Sequence, residues 1–249
     1  MESMSRPALS LMFAGGMLLA VSPASGQTGP KLSGDTLALA CAPRGSYDAP
    51  DTKIAIGGSL TNAQGVYAPW HRLVVNAGSE EGVKPGADYY VRRIVPAREW
   101  HAKGEKPAYA IMTMGWVHID EAQTHRAIAS VLHECDGIGP GDYLEPFSVP
   151  AVPTPLPPGE PDYSQAGHVL FGVERAMVGG AGSMFVIDRG SNQGIQPGQR
   201  VTIYRASEPG PNVIVARGTA LLVGNDMTTI RIQEMRDAGM SGDSFAPHK

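Results

Sequence analysis

The sequence predicts an all-β protein: two small β-barrel domains from an internal duplication, joined by a Pro-rich linker. Three observations carry that reading. A stretch of twenty residues recurs 112 positions downstream. The 249 residues include 31 glycines and 21 prolines, which divide the chain into short apolar runs bounded by turn residues. No long segment holds the 3.6-residue apolar period of a helix.

The repeat is explicit. Val74-Val75-Asn76-Ala77-Gly78-Ser79-Glu80-Glu81-Gly82-Val83-Lys84-Pro85-Gly86 is matched by Val186-Ile187-Asp188-Arg189-Gly190-Ser191-Asn192-Gln193-Gly194-Ile195-Gln196-Pro197-Gly198. The match continues through Tyr90-Val91-Arg92-Arg93 against Thr202-Ile203-Tyr204-Arg205. Seven of the twenty positions are identical, where chance gives about one.

Each copy reads as strand, turn, strand. An apolar β-branched run forms the first strand. Gly78-Ser79 and Gly190-Ser191 open the turn, Gly82 and Gly194 continue it, and Pro85-Gly86 and Pro197-Gly198 launch the next strand. Gly78, Gly82 and Gly86 are expected to supply left-handed backbone, and Pro85 to preset its own φ. Val201 and Ile203 then alternate with Thr202 and Tyr204, the period of a strand with one wet face.

Further downstream the correspondence loosens. Gly115-Trp116-Val117 is aligned with Gly218-Thr219-Ala220, and Ala127 to Val131 with Thr229 to Gln233. Asp120 to Cys135 alone could be a capped helix. The β-branched Thr228, Thr229, Ile230 and Ile232 of the second copy decide for a strand. Both copies close on Gly-Asp-x-apolar, at Gly141-Asp142 and Gly242-Asp243.

The remaining segments follow in order. Residues 1–26 read as a signal peptide: Arg6, an apolar run from Ala8 to Val21, and a small-residue cleavage site at Ala24-Ser25-Gly26. Residues 27–53 form a loose N-terminal leader, residues 54–147 the first barrel and residues 148–165 the linker. Residues 166–249 form the second barrel. Seven prolines between Pro146 and Pro161 prevent a strand ladder and favour an extended spacer. Cys41 and Cys135, the only cysteines, are expected to form one disulfide in an oxidising compartment rather than remain buried thiols.

The unit of strand, Gly-Ser-x-x-Gly-Val/Ile-x-Pro-Gly, strand ending in Arg, and later Gly-Asp-x-apolar resembles a known domain. That domain is the small β-barrel at the C-terminus of flagellar assembly protein T, with similar domains in LysM peptidoglycan-binding proteins. The barrels of rod-shape-determining protein C carry a comparable Gly-Ser-x-x-Gly-Val turn. The resemblance spans roughly residues 54–147 and 166–249 and implies a non-catalytic role in a periplasmic assembly at the cell wall. The tandem arrangement, without a LysM repeat, is a different architecture.

Little in the sequence points to chemistry. Ser79 and Ser191 stand in Gly-Ser turns, not in a Gly-x-Ser-x-Gly elbow. His118, His125 and His133 with Glu134 and Asp136 match no metal-binding spacing. Gly179 to Gly182 reads as a hairpin tip, since no Lys-Ser/Thr follows it. A net charge of −4 without a Lys/Arg cluster argues against nucleic acid. Aromatic residues gather in the first copy: Tyr67, Trp70, Tyr89, Tyr90, Trp100, Trp116 and Tyr143. Trp70 and Trp100 are the candidate binding residues, because aromatic faces anchor protein interfaces and stack on sugars.

The expectation is therefore a periplasmic or otherwise exported, non-catalytic scaffold or assembly protein that needs no cofactor or metal. Its partners would be envelope proteins, including those of a flagellar or wall-associated machine. The alternative is a module that binds peptidoglycan or another envelope glycan. Self-association into an oligomer is open.

Overall fold

The computed structural model describes residues 31–61, 65–96, 108–172, 178–207 and 209–249. The signal segment and Trp100 lie outside the described residues. Among the described residues no helix is long and apolar enough to cross a membrane.

The expected loose leader is ordered. Ser33 caps helix α1 (Gly34–Ala40), accepting from the Thr36 N–H. Cys41 follows and is disulfide-bonded to Cys135, as expected, with the Cα atoms 5.6 Å apart. Strand β1 (Arg44–Ser46) then pairs with β5 (Tyr109–Ala122). Leu39 and Ala40 are buried in a helix of 7 residues, about two turns, too short a stretch to show a period in the sequence.

The first unit is an antiparallel sheet. Strands β2 (Ile56–Ser59), β3 (Arg72–Val75), β4 (Asp88–Pro96), β6 (Ala127–Glu134) and β7 (Tyr143–Pro146) join β5 in the order β2-β3-β6-β5-β4-β7. The two ends of that path meet. Ala55 bridges Tyr143, Ile56 N–H donates to Asp142 O and Gly141 N–H to Ile56 O, both at 2.8 Å. Leu73, Val75, Val91, Val117, Ile119, Ala129 and Val131 alternate along these strands and fill the interior.

The second unit is a closed barrel. Its strands are β8 (Gly167–Gly172), β10 (Met184–Ile187), β11 (Arg200–Arg205), β12 (Val213–Val223), β13 (Thr228–Met235) and β15 (Ser244–Pro247). They run β10-β13-β12-β11-β15-β8 around the ring, and a short ribbon of β9 (Val178–Gly179) and β14 (Gly239–Met240) sits at one end. The first sheet follows the same order. Even the closure repeats: Val169 N–H donates to Asp243 O and Gly242 N–H to Val169 O, again at 2.8 Å.

The hydrogen bonds correct the downstream alignment read from the sequence. Gly86 N–H donates to Ile119 O and Gly198 N–H to Ala220 O, so Ile119 corresponds to Ala220 and Gly115 to Ala216. Val75 pairs with Ala127 and Ile187 with Thr228, which sets Ala129 against Ile230. These positions differ by one or two residues from those of the sequence alignment: Gly115 and Gly218 share a residue type but not a place in the strand. A one-residue slip exchanges the two faces of a strand. Ala129 and Ile230 are both fully buried, so the corrected register keeps the core inside.

The two turns are superimposable in their bonding, with one correction. Gly82, Gly86, Gly194 and Gly198 take φ of 77–86°, as expected. With Pro85 and Pro197 at the second position and Ala87 and Gln199 N–H closing back on Lys84 and Gln196, Pro-Gly forms a type II turn in each copy. Gly78 is not left-handed, and Gly190 has φ −138°. These two are glycine for space: a Cβ would lie 2.0 Å from Gln123 O at Gly78 and 2.4 Å from Gly224 O at Gly190.

The units do not stand apart on a free spacer. Leu170, Phe171, Val186 and Met227 of the second unit belong to the hydrophobic cluster of the first, whereas Val169, Phe185 and Ile187 line the second barrel's own core. Thr229 Oγ1 donates to Pro43 O, and Arg231 pairs with Asp35 at 2.9 Å, so the leader is tied to both units. The Pro-rich segment lies along the second barrel through Leu156 N–H to Gly198 O and Lys249 N–H to Glu160 O.

Candidate functional site

The residues singled out in the sequence fall into three groups. The turn residues build the fold. Ser79 and Ser191 each donate a backbone N–H across the turn, to Gln123 O and Gly224 O, and Glu81 and Gln193 accept from Gly78 and Gly190 N–H. This is the same capping arrangement twice.

The histidines are separated by their partners. His118 binds Asp88 at 2.6 Å and His125 binds Glu81 at 2.9 Å. His133 stacks on Trp116 with ring centroids 4.4 Å apart, and burial holds its imidazole below the ordinary value. His133 stands beside Cys41 and Cys135, but both sulfurs are spent in the disulfide.

The aromatic residues divide sharply. Tyr67, Tyr89, Tyr90, Trp116 and Tyr143 are buried. Trp116 is outside the barrel interior, beneath α1, with Tyr90, Phe147 and the disulfide. Trp70 is 78 % exposed.

Among the described residues Trp70 is also the non-glycine residue with left-handed backbone, at φ 75°. Its N–H donates to Val131 O, and His71 N–H closes a turn on Ala68 O. The second unit makes the same turn: Gly182, at φ 86°, donates to Ile232 O, and Ser183 N–H closes on Gly180 O. The turn demands positive φ, which glycine meets without penalty. A bulky side chain there costs roughly 1–2 kcal/mol. The first unit therefore carries an exposed indole where the fold alone asks for glycine. Leu60 and Val66, on the same connection between β2 and β3, are exposed as well.

Two features escaped sequence reasoning. The arginine at the end of each repeated stretch, which ends β11 at Arg205 but lies three residues inside β4 at Arg93, binds the aspartate of each Gly-Asp: Arg93 to Asp142 and Arg205 to Asp243, both at 2.7 Å. Each guanidinium also donates to a carbonyl, of Gly137 and Ala238. The recurrence of both residue types was the available signal. The second feature belongs to the first unit. Arg44 and the buried Arg92 share Glu145, and Arg92 lies 3.9 Å over the Tyr90 ring. Burial, then repulsion from Arg44, draws Arg92 down to about 10. The counterparts of Arg92 and Glu145 are Tyr204 and Ala246, so no such cluster forms there.

No family model matches this chain, and no curated protein matches it.

Beside the Arg44–Glu145 pair a cleft of about 680 Å³ opens between the leader and the β12–β13 turn. Tyr47 and Pro50 line one side, and Leu222, Val223 and Met227 the other.

Proposed function

We propose that this is an exported, non-catalytic scaffold of the bacterial envelope that recognises a protein partner through the Trp70 end of its first unit. The observation that carries the reading is Trp70 itself, an exposed indole held at a backbone conformation that the second unit fills with glycine. Strain of this kind persists where it serves recognition. The disulfide supports an oxidising compartment, and a leader tied to both units supports a rigid support for other proteins. The repeated strand order supports descent from one duplicated unit, in keeping with the resemblance to barrels of flagellar and wall-associated proteins.

Purified protein should retain a reproducible, salt-resistant set of envelope proteins, and Trp70→Ala should weaken that retention at least about tenfold, as for an interface hot spot. Retention on purified sacculi, competed by soluble muropeptides, would replace the protein partner with peptidoglycan. Retention of neither would end the proposal.

A further inference from the structure

His133 differs from the other histidines of the described chain. His71, His118, His125, His168 and His248 each have a hydrogen-bonded ring nitrogen. Among the described residues His133 has none, and its ring is held against Trp116 with the planes 22° apart. A nitrogen of that ring, Cys41 Sγ and Cys135 Sγ all lie within 4.8 Å of one another.

Three separate anchors hold this trio. His133 and Cys135 are two residues apart at the end of β6, a spacing that keeps side chains on one face of extended chain. Cys135 N–H donates to Met114 O at 2.9 Å, and Cys41 N–H to Leu37 O at 3.1 Å. His133 is paired with Trp116 of β5. None of these contacts runs through sulfur, so reduction of the disulfide breaks none of them. The second unit has the same frame without the trio. Arg236 N–H donates to Val215 O as Cys135 N–H does to Met114 O, and Glu234 pairs with Arg217 as His133 does with Trp116. Closing a barrel therefore requires neither Cys135 nor His133.

We propose that, with the disulfide reduced, Cys41, Cys135 and His133 bind one thiophilic cation of the Zn²⁺ kind. The same two sulfurs then serve either a covalent bond or a metal. A phosphine or dithiol reductant supplies the two electrons that cleave the S–S bond, leaving two thiols. Binding releases both thiol protons and forms two sulfur–metal bonds and one nitrogen–metal bond. Two thiolates neutralise the dication, which suits a half-buried position. Tetrahedral bonds of about 2.3 Å to sulfur and about 2.1 Å to nitrogen need ligand atoms about 3.6–3.8 Å apart, within the spread the chain already sets. Three protein ligands leave the fourth position to water. In the oxidising compartment proposed above, cation and oxidant compete for the same thiols.

Zn²⁺ uptake by the full chain tests it, with the protein oxidised, or reduced by a phosphine that is then removed under nitrogen. Titration against a competing chelator and native mass spectrometry should show one Zn²⁺ per reduced chain and none per oxidised chain. His133→Gln should weaken uptake at least about tenfold, since even residues that only orient metal ligands cost that much. Zn²⁺ should also raise the melting temperature of the reduced chain, because binding confined to the folded state stabilises it. No uptake on reduction, or equal uptake by the oxidised chain, overturns the proposal. So does uptake that His133→Gln leaves unchanged, which is chelation by two thiols only. A melting temperature of the reduced chain that Zn²⁺ lowers or does not move overturns it too, since the ligands would then act together only in the unfolded chain. Each of these outcomes leaves recognition through Trp70 untouched.

Discussion

The two units share a frame and differ in what hangs from it. Strand order, ring closure, the capped Gly-Ser turn, the Pro-Gly turn and the Arg–Asp pair recur with the same bonds. The disulfide, the Arg44–Glu145–Arg92 cluster and the exposed Trp70 belong to the first unit. What recurs is what closes a small barrel. What does not recur is not needed to close it, and the left-handed turn shows it best: glycine in one unit, tryptophan in the other, with one backbone path.

The largest expected effect tests the shared frame. Gly78→Val and Gly190→Val should each unfold their unit, a loss of about 4 kcal/mol or more, because the added carbons would enter a carbonyl oxygen of the facing loop. Thermal melts and amide exchange read this. An ordinary melt for either variant would show that the facing loop can retreat.

Next comes a feature of one unit. Cys41→Ser with Cys135→Ser should cost about 2–4 kcal/mol, since the bond closes a 94-residue separation in the unfolded chain. Exchange protection should fall first at α1 and β1. Loss confined to the second unit would contradict the placement of the leader.

A smaller loss returns to the shared frame. Arg93→Ala and Arg205→Ala should cost similar amounts, about 2 kcal/mol each, below the value for a fully buried pair because Arg93 keeps 41 % of its side chain in water. Denaturant titration gives both values. A clear inequality would mean the two pairs are not equivalent in energy despite their matching geometry.

The smallest effect is a pH dependence. Burial lowers the pKa of His133 in the first unit and His248 in the second. A histidine with a depressed folded pKa binds fewer protons than the unfolded chain, so stability rises with pH through that window. It is lost as pH falls below the unfolded value of about 6.5. Melting temperature should decline on acidification through that range, and His133→Gln should flatten the decline. An unchanged slope would remove His133 from the account.

Much of the frame was legible because turns and repeats are local. Gly82-x-x-Pro85-Gly86 and its copy announce a type II turn in sequence, and a sequence with two cysteines offers a single possible pairing. The strand assignment of Ala127–Glu134 was legible only through the second copy, where β-branched residues replace an ambiguous run. The downstream register was not legible, since a period of two fixes which residues alternate but not which face is inside. Trp70 was legible as a candidate by its residue type. Its strain was not, because a sequence does not show that residue 70 occupies the turn position of Gly182.

By itself, then, the sequence determined an all-β chain of two like units with its turns and its disulfide, because these depend on residues near one another or on a single possible pair. The tertiary structure decided the rest. It decided that α1 and β1 brace both units, that Arg93 and Arg205 find Asp142 and Asp243, and that Trp116 is buried while Trp70 is bare. It placed a cleft where the leader meets the second barrel. Those outcomes depend on which surfaces meet across long stretches of chain, and burial is a property of the meeting surfaces rather than of the residues alone.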